Sequence, residues 1–192
     1  MFKRSAAIYF GGFLFGLLSS ALIIAFYPSL YTAFLEFLLR RVEAQSKIIE
    51  NFTLMIIANN LLAASIASFG GVAVSKLVNI FSPGAARNKA LLYFLPAGIL
   101  FVNGELLGLL AALYVEHIPR FFAGIFPHGF FEIPAIILSG AIGLDISEES
   151  RKIEGGFQKD LSIIAKNNLN KFGLAVLLII IGGILEGRAI LS

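Results

Sequence analysis

His128 and Glu132 stand four residues apart in Phe126-Pro127-His128-Gly129-Phe130-Phe131-Glu132-Ile133-Pro134, an otherwise apolar run. Ionisable side chains at membrane depth cost several kcal/mol unless they are paired, hydrated or turned inward. On a helix the four-residue spacing puts both groups on one face. Three kinds of chemistry suit the pair. A neutral imidazole can donate to the carboxylate and clamp the chain locally; both groups can ligate a divalent metal; or they can pass a proton. The H-x-x-x-E spacing is not diagnostic of metal by itself, because a metal needs a third ligand. Glu186 and Glu105 are the acidic residues well inside other apolar runs, and His117 is a weaker candidate. Mixed nitrogen and oxygen ligands suit zinc best among the metals.

Asn59 and Asn60 are the next polar interruption. Neighbours in sequence, they point about 100° apart on a helix. Asn60 shares its face with Ala64, Ala67, Ser68 and Gly71, a small-residue stripe that lets another helix come close. Asn103 and Glu105 interrupt a third run, where Gly104 and Gly108 have GxxxG spacing. Gly12/Gly16 and Gly183/Gly187 repeat it. These faces predict close helix association and a homodimer, chiefly through Gly104/Gly108 or Gly183/Gly187.

Several classes are excluded or unsupported. The chain has no Cys, so disulfides and thiolate zinc sites are out. There is no phosphate-binding GxxxxGK[ST], no GxGxxG after a strand, no G-x-S-x-G and no H-E-x-x-H. A serine hydrolase would draw on Ser139 or Ser68, and neither sits in a recognisable turn. The basic residues form no cluster dense enough for nucleic acid.

The elements that must position these residues are membrane helices. Hydrophobic residues make up 58% of the chain, and charged residues only 14%. The mean hydropathy is +0.88. Five apolar runs stand out: Ala6–Tyr27, Phe52–Phe81, Ala90–Val115, Phe130–Leu144 and Phe172–Leu191. The first is as long as a bilayer requires and no small-x-small cleavage site follows it, so it reads as a retained span. The fourth is short, with another apolar piece, His117–Phe126, ahead of it. The two pieces predict one span broken at Pro127-His128-Gly129, or a re-entrant hairpin. The expected fold is therefore all-α, a single domain over residues 1–192 with about five transmembrane helices, one of them broken.

If all five runs span and Lys3 and Arg4 are cytoplasmic, then Arg87, Lys89, Arg151, Lys152, Lys159, Lys166 and Lys171 are cytoplasmic too. Arg40, Arg41, Lys47, Arg120 and Arg188 fall outside. The bias favours a cytoplasmic N-terminus in a multi-pass protein of the cell membrane. Ser29–Glu50 reads as an interfacial helix or an extension of the second span. Asp145 and Glu148 have capping-box spacing for a following helix, which Gly155-Gly156 interrupts. Phe157, Leu161 and Ile164 then suit a helix lying on the membrane surface, or equally a solvated loop helix.

PHGFFEIPAIILSGAIGL resembles the signature of the stage II sporulation protein M (SpoIIM) family of integral membrane proteins. IIANNLLAASIASFGG, with Asn59-Asn60, and IIGGILEGRAI, with Glu186, support the resemblance, which runs from the second apolar run to the C-terminus. It implies a membrane scaffold that recruits partners, such as the cell-envelope enzymes of wall remodelling. It fixes little chemistry. The alternatives are a small transporter or ion-binding protein built on His128, Glu132, Glu105 and Glu186, and an intramembrane metal-dependent hydrolase. The site residues singled out are Asn59, Asn60, Glu105, Pro127, His128, Gly129, Glu132 and Glu186, with His128, Glu132 and Glu186 as the metal set.

Overall fold

The computed structural model describes residues 1–34, 36–37, 40, 52–81, 89–113, 118–150, 152 and 157–191. His117, Arg41, Lys47, Arg87, Arg151, Gly155-Gly156 and the Ser29–Glu50 segment beyond residue 40 lie outside the described residues. Among the described residues there is no strand. The elements are α1 (Phe2–Phe26), α2 (Phe52–Ser65), α3 (Gly71–Phe81), α4 (Lys89–Leu113), α5 (Ile118–Ser150), α6 (Phe157–Asn167) and α7 (Leu169–Leu191). A π-helical turn, Ile66–Gly70, joins α2 to α3 without a break in the rod.

Among the described residues five helices are long and apolar enough to cross a membrane: Phe2–Phe26, Thr53–Phe81, Leu92–Ala112, Phe121–Ser150 and Leu169–Arg188. Their pairing gives their directions. The position a side chain would take at Gly12 is filled by the Phe101 carbonyl, and that at Gly16 by the Glu105 carbonyl, so α1 and α4 are parallel. Leu100 packs on Gly140 and Pro96 on Gly143, so α4 and α5 are antiparallel. Ile57 packs on Gly183 and Thr53 on Gly187, so α2 and α7 are antiparallel. Five successive crossings of a bilayer require this alternation.

The glycine pairs act inside the chain. Gly104 and Gly108 face the backbone of Tyr9 and Phe13, while Gly12 and Gly16 face α4 in return. Two GxxxG faces thus close on each other, the small residues letting the two backbones approach. Gly183 and Gly187 are occupied by α2. The homodimer expected through Gly104/Gly108 or Gly183/Gly187 therefore loses the surfaces assigned to it.

The Asn60 stripe behaves as its spacing predicts. Ala64, Ala67 and Ser68 are buried, the Ala67 carbonyl fills the side-chain position of Gly143, and Ser68 Oγ donates to the Ser139 carbonyl at 3.1 Å. Ser139 Oγ donates to the Ala135 carbonyl at 2.8 Å. Both hydroxyls weighed as nucleophiles are thus buried and engaged with the backbone.

Two local expectations are corrected. The helix does not break at Pro127-His128-Gly129; α5 runs through it from Ile118 to Ser150 with Pro127 and Pro134 inside. Pro127 removes one intrahelical hydrogen bond, but the alternative, a whole turn of backbone unpaired in an apolar medium, costs more. Nor do Asp145 and Glu148 open a helix, because they lie in the last turns of α5. Asp145 instead reaches Lys171 at the start of α7, with Nζ 3.7 Å from Oδ2. The amphipathic segment is α6, and its Leu161 is fully buried with Val72, Leu92, Ile142 and Ile146. Its apolar face thus packs on the bundle instead of on lipid.

Candidate functional site

The continuous α5 carries His128 and Glu132 on one face. That face meets α7 where α7 carries Gly182, and one turn further Glu186. The side-chain position at Gly182 is taken by the Glu132 stem, with Oε1 3.1 Å away. A residue of any size at 182 would expel Glu132, so Gly182 creates the space in which the two carboxylates approach. One ligand atom each of His128, Glu132 and Glu186 lies within 4.8 Å of the others, and all three residues are half-buried. The Asn60 side chain hydrogen-bonds the Glu132 carboxyl group. His128 Nδ1 and Glu132 Oε1 are themselves buried and have no hydrogen-bond partner among the described residues. Leaving a buried polar atom unpaired costs roughly 1–3 kcal/mol, and more for a charged group.

These groups face a cavity of about 510 Å³ that opens to the surface of the bundle. Tyr9 from α1, Asn60 from α2, Asn103 from α4 and Glu186 from α7 contribute its polar wall, with His128 and Glu132 from α5. Leu106, Leu110, Phe121 and Ile136 supply much of the rest. Asn103 Nδ2 also donates to the Ile99 carbonyl at 2.8 Å. The cavity lies in the half of the bundle that holds the C-terminal part of α4, the N-terminal part of α5 and the C-terminal end of α7.

The expected residues divide clearly. His128, Glu132 and Glu186 come together with Asn60, and Gly129 lies in the cavity wall. Pro127 is in the same helix but lines no part of the cavity. Asn59 is exposed, on another face of α2, and does not line it. Glu105 does not line it either; it sits where α4 packs on α1, its backbone against Gly16. The group of three ligand atoms that lie together does not include it. Tyr9 and Gly182 were not anticipated. Gly182 stands about one helical turn before Glu186, but only the facing helix gives that glycine its role; Tyr9 had no signal either, because only the fold brings α1 to the cavity.

The fold and this cluster define a polytopic α-helical membrane protein with a polar cavity inside its bundle. The chain belongs to the SpoIIM family: the model of the family described as stage II sporulation protein M matches residues 5–189, nearly its whole length. No curated protein and no solved structure matches the chain.

Proposed function

We propose that this protein binds a divalent metal, of the zinc class, at His128, Glu132 and Glu186, and uses it for chemistry within the membrane. The observation that carries the reading is the approach of three ligand atoms to within 4.8 Å beside an open cavity. Tetrahedral zinc, with bonds of about 2.0–2.2 Å, sets its ligand atoms about 3.4 Å apart. Rotation of three flexible side chains closes that difference. The unpartnered His128 Nδ1 and Glu132 Oε1 are donor atoms that an ion would satisfy. One nitrogen and two carboxylates would supply three protein ligands, the number that catalytic zinc sites take from the protein. A bound zinc there would activate a water for hydrolysis. Tyr9 and Asn103 stand in the wall to orient what enters.

The scaffold reading, in which the chain recruits envelope-remodelling enzymes, rests on the family. A dry and fully packed His128–Glu132 contact would have favoured it. The cavity at the cluster favours ion binding and chemistry instead.

Elemental analysis of protein purified in mild detergent without chelators tests the proposal. About one zinc per chain is expected, and Glu132→Gln should lose it while remaining folded. Sub-stoichiometric metal in the wild-type protein, even after zinc is supplied and free ion removed, would refute it.

A further inference from the structure

A second cavity, of about 680 Å³, runs beside the first. Every residue that lines it is apolar, and aromatic rings dominate: Phe10 and Phe13 of α1, and Phe122, Phe126 and Phe130 among those of α5. Phe126 and Phe130 are 68% and 62% exposed, so the groove opens outward, where a membrane helix meets lipid. The two cavities share five wall residues, Leu107, Phe121, Ile125, Gly129 and Ile133. At Gly129 the side chains of Ile125 and Ile133 close over the helix backbone, so only apolar side chains stand between the two chambers there. The groove therefore leads from lipid, along the phenylalanines, to the apolar wall it shares with the polar chamber. Each chamber lies within the roughly 300–1,000 Å³ of ordinary ligand pockets.

The charge of the polar chamber restricts the head of a ligand. Its described wall holds two carboxylates and no Lys or Arg. A divalent ion on two carboxylates leaves no net positive charge to hold an anionic head. The neutral hydrogen-bonding side chains Asn60, Asn103 and Tyr9 suit a hydroxyl, ester or amide.

We infer that the site takes a long-chain lipid with an uncharged polar head, its chain in the phenylalanine groove and its head beside His128 and Glu132. The charge of the head rests on the metal-site reading; the path of the chain does not.

A monoacylglycerol with a diazirine in mid-chain, photolysed with the protein in phosphatidylcholine nanodiscs, tests this. Adducts should concentrate on residues 121–134 of α5 and on Phe10 and Phe13. Excess unlabelled monoacylglycerol should remove them, while the same excess of a long-chain fatty-acid anion should not. Leu178→Trp fills the groove from α7, away from the polar cluster, and should cut labelling at least about tenfold, which corresponds to 1.4 kcal/mol. Adducts spread over the lipid-facing sides of α1, α4 and α7 that no competitor removes would overturn the inference, as would equal competition by the anion. Competition in the wild-type protein needs no variant to fold. Competed labelling in a protein without metal would sink the metal site and leave the groove standing. Bound zinc without competed labelling would do the reverse.

Discussion

Glu132 stands where a side chain at position 182 would have to be. The site therefore depends on a residue that carries no functional group. Gly182→Val should push the Glu132 stem off α7 and separate the two carboxylates. We expect zinc affinity, measured by competition with a chromogenic chelator, to fall at least as far as the ~10–100-fold that loss of an outer-sphere partner costs. Gly173→Ala on the same helix is the control, because a methyl group there meets nothing within 4 Å. Equal affinity in the two variants would mean that the carboxylates do not act together. At this scale the sequence was readable wherever a side chain was expensive. His128, Glu132 and Glu186 each cost too much alone in lipid, so their convergence followed from cost. The same reasoning placed Glu105 in the metal set as an alternative, and the fold puts it at the α1–α4 contact instead. Cost shows that a group needs company and not which company. Gly182 escaped notice because space, unlike charge, has no price until the facing helix is known.

Between helices, the same limit appears as a question of partners. GxxxG spacing announces a close approach without naming the other surface, and each pair assigned to a second copy of the chain is used within the first. Gly108→Leu should drive a side chain into the Phe13 carbonyl and prise α1 from α4. Overpacking of this kind costs about 1–3 kcal/mol, read as a lower melting temperature in detergent with no change in oligomeric state. A stable variant that instead dissociates from a dimer would return the face to an intermolecular role. Arg4 supports the same α1–α4 pairing from its end, its guanidinium 5.0 Å from the Tyr93 ring centroid. The five apolar runs were legible because a bilayer demands length and hydropathy, both written locally. The break at Pro127 was misread because Pro and Gly punctuate water-soluble chains. In lipid the remaining backbone hydrogen bonds are worth too much to abandon, and α5 stays whole.

For the whole molecule, the alternation of directions ties the ends of the chain to the site. The start of α1, the end of α5 and the start of α7 share one end of the bundle. Lys3, Arg4, Lys152 and Lys171 are carried there, with Asp145 paired to Lys171. Arg188 belongs to the other end, close in sequence to Glu186. Positive charge near span ends is retained in the cytoplasm, so the Lys152 end should be cytoplasmic and the C-terminal end of α7 outside. The absence of native Cys gives a test without background. An impermeant thiol reagent on intact cells should label Ser192→Cys at once and Lys152→Cys only after permeabilisation; the opposite pattern would invert the molecule. The outcome also decides what reaches the cluster. The cavity lies toward the Glu186 end of α7, so in this orientation it sits in the outer half of the bilayer. Metal and lipid would then come from outside the cell and from the outer leaflet. An impermeant chelator added to intact cells should accordingly strip zinc from the site, as read by the metal content of the protein purified afterwards. Retention of metal by cells in which Ser192→Cys is labelled would mean that the path to His128 does not open on the outer side.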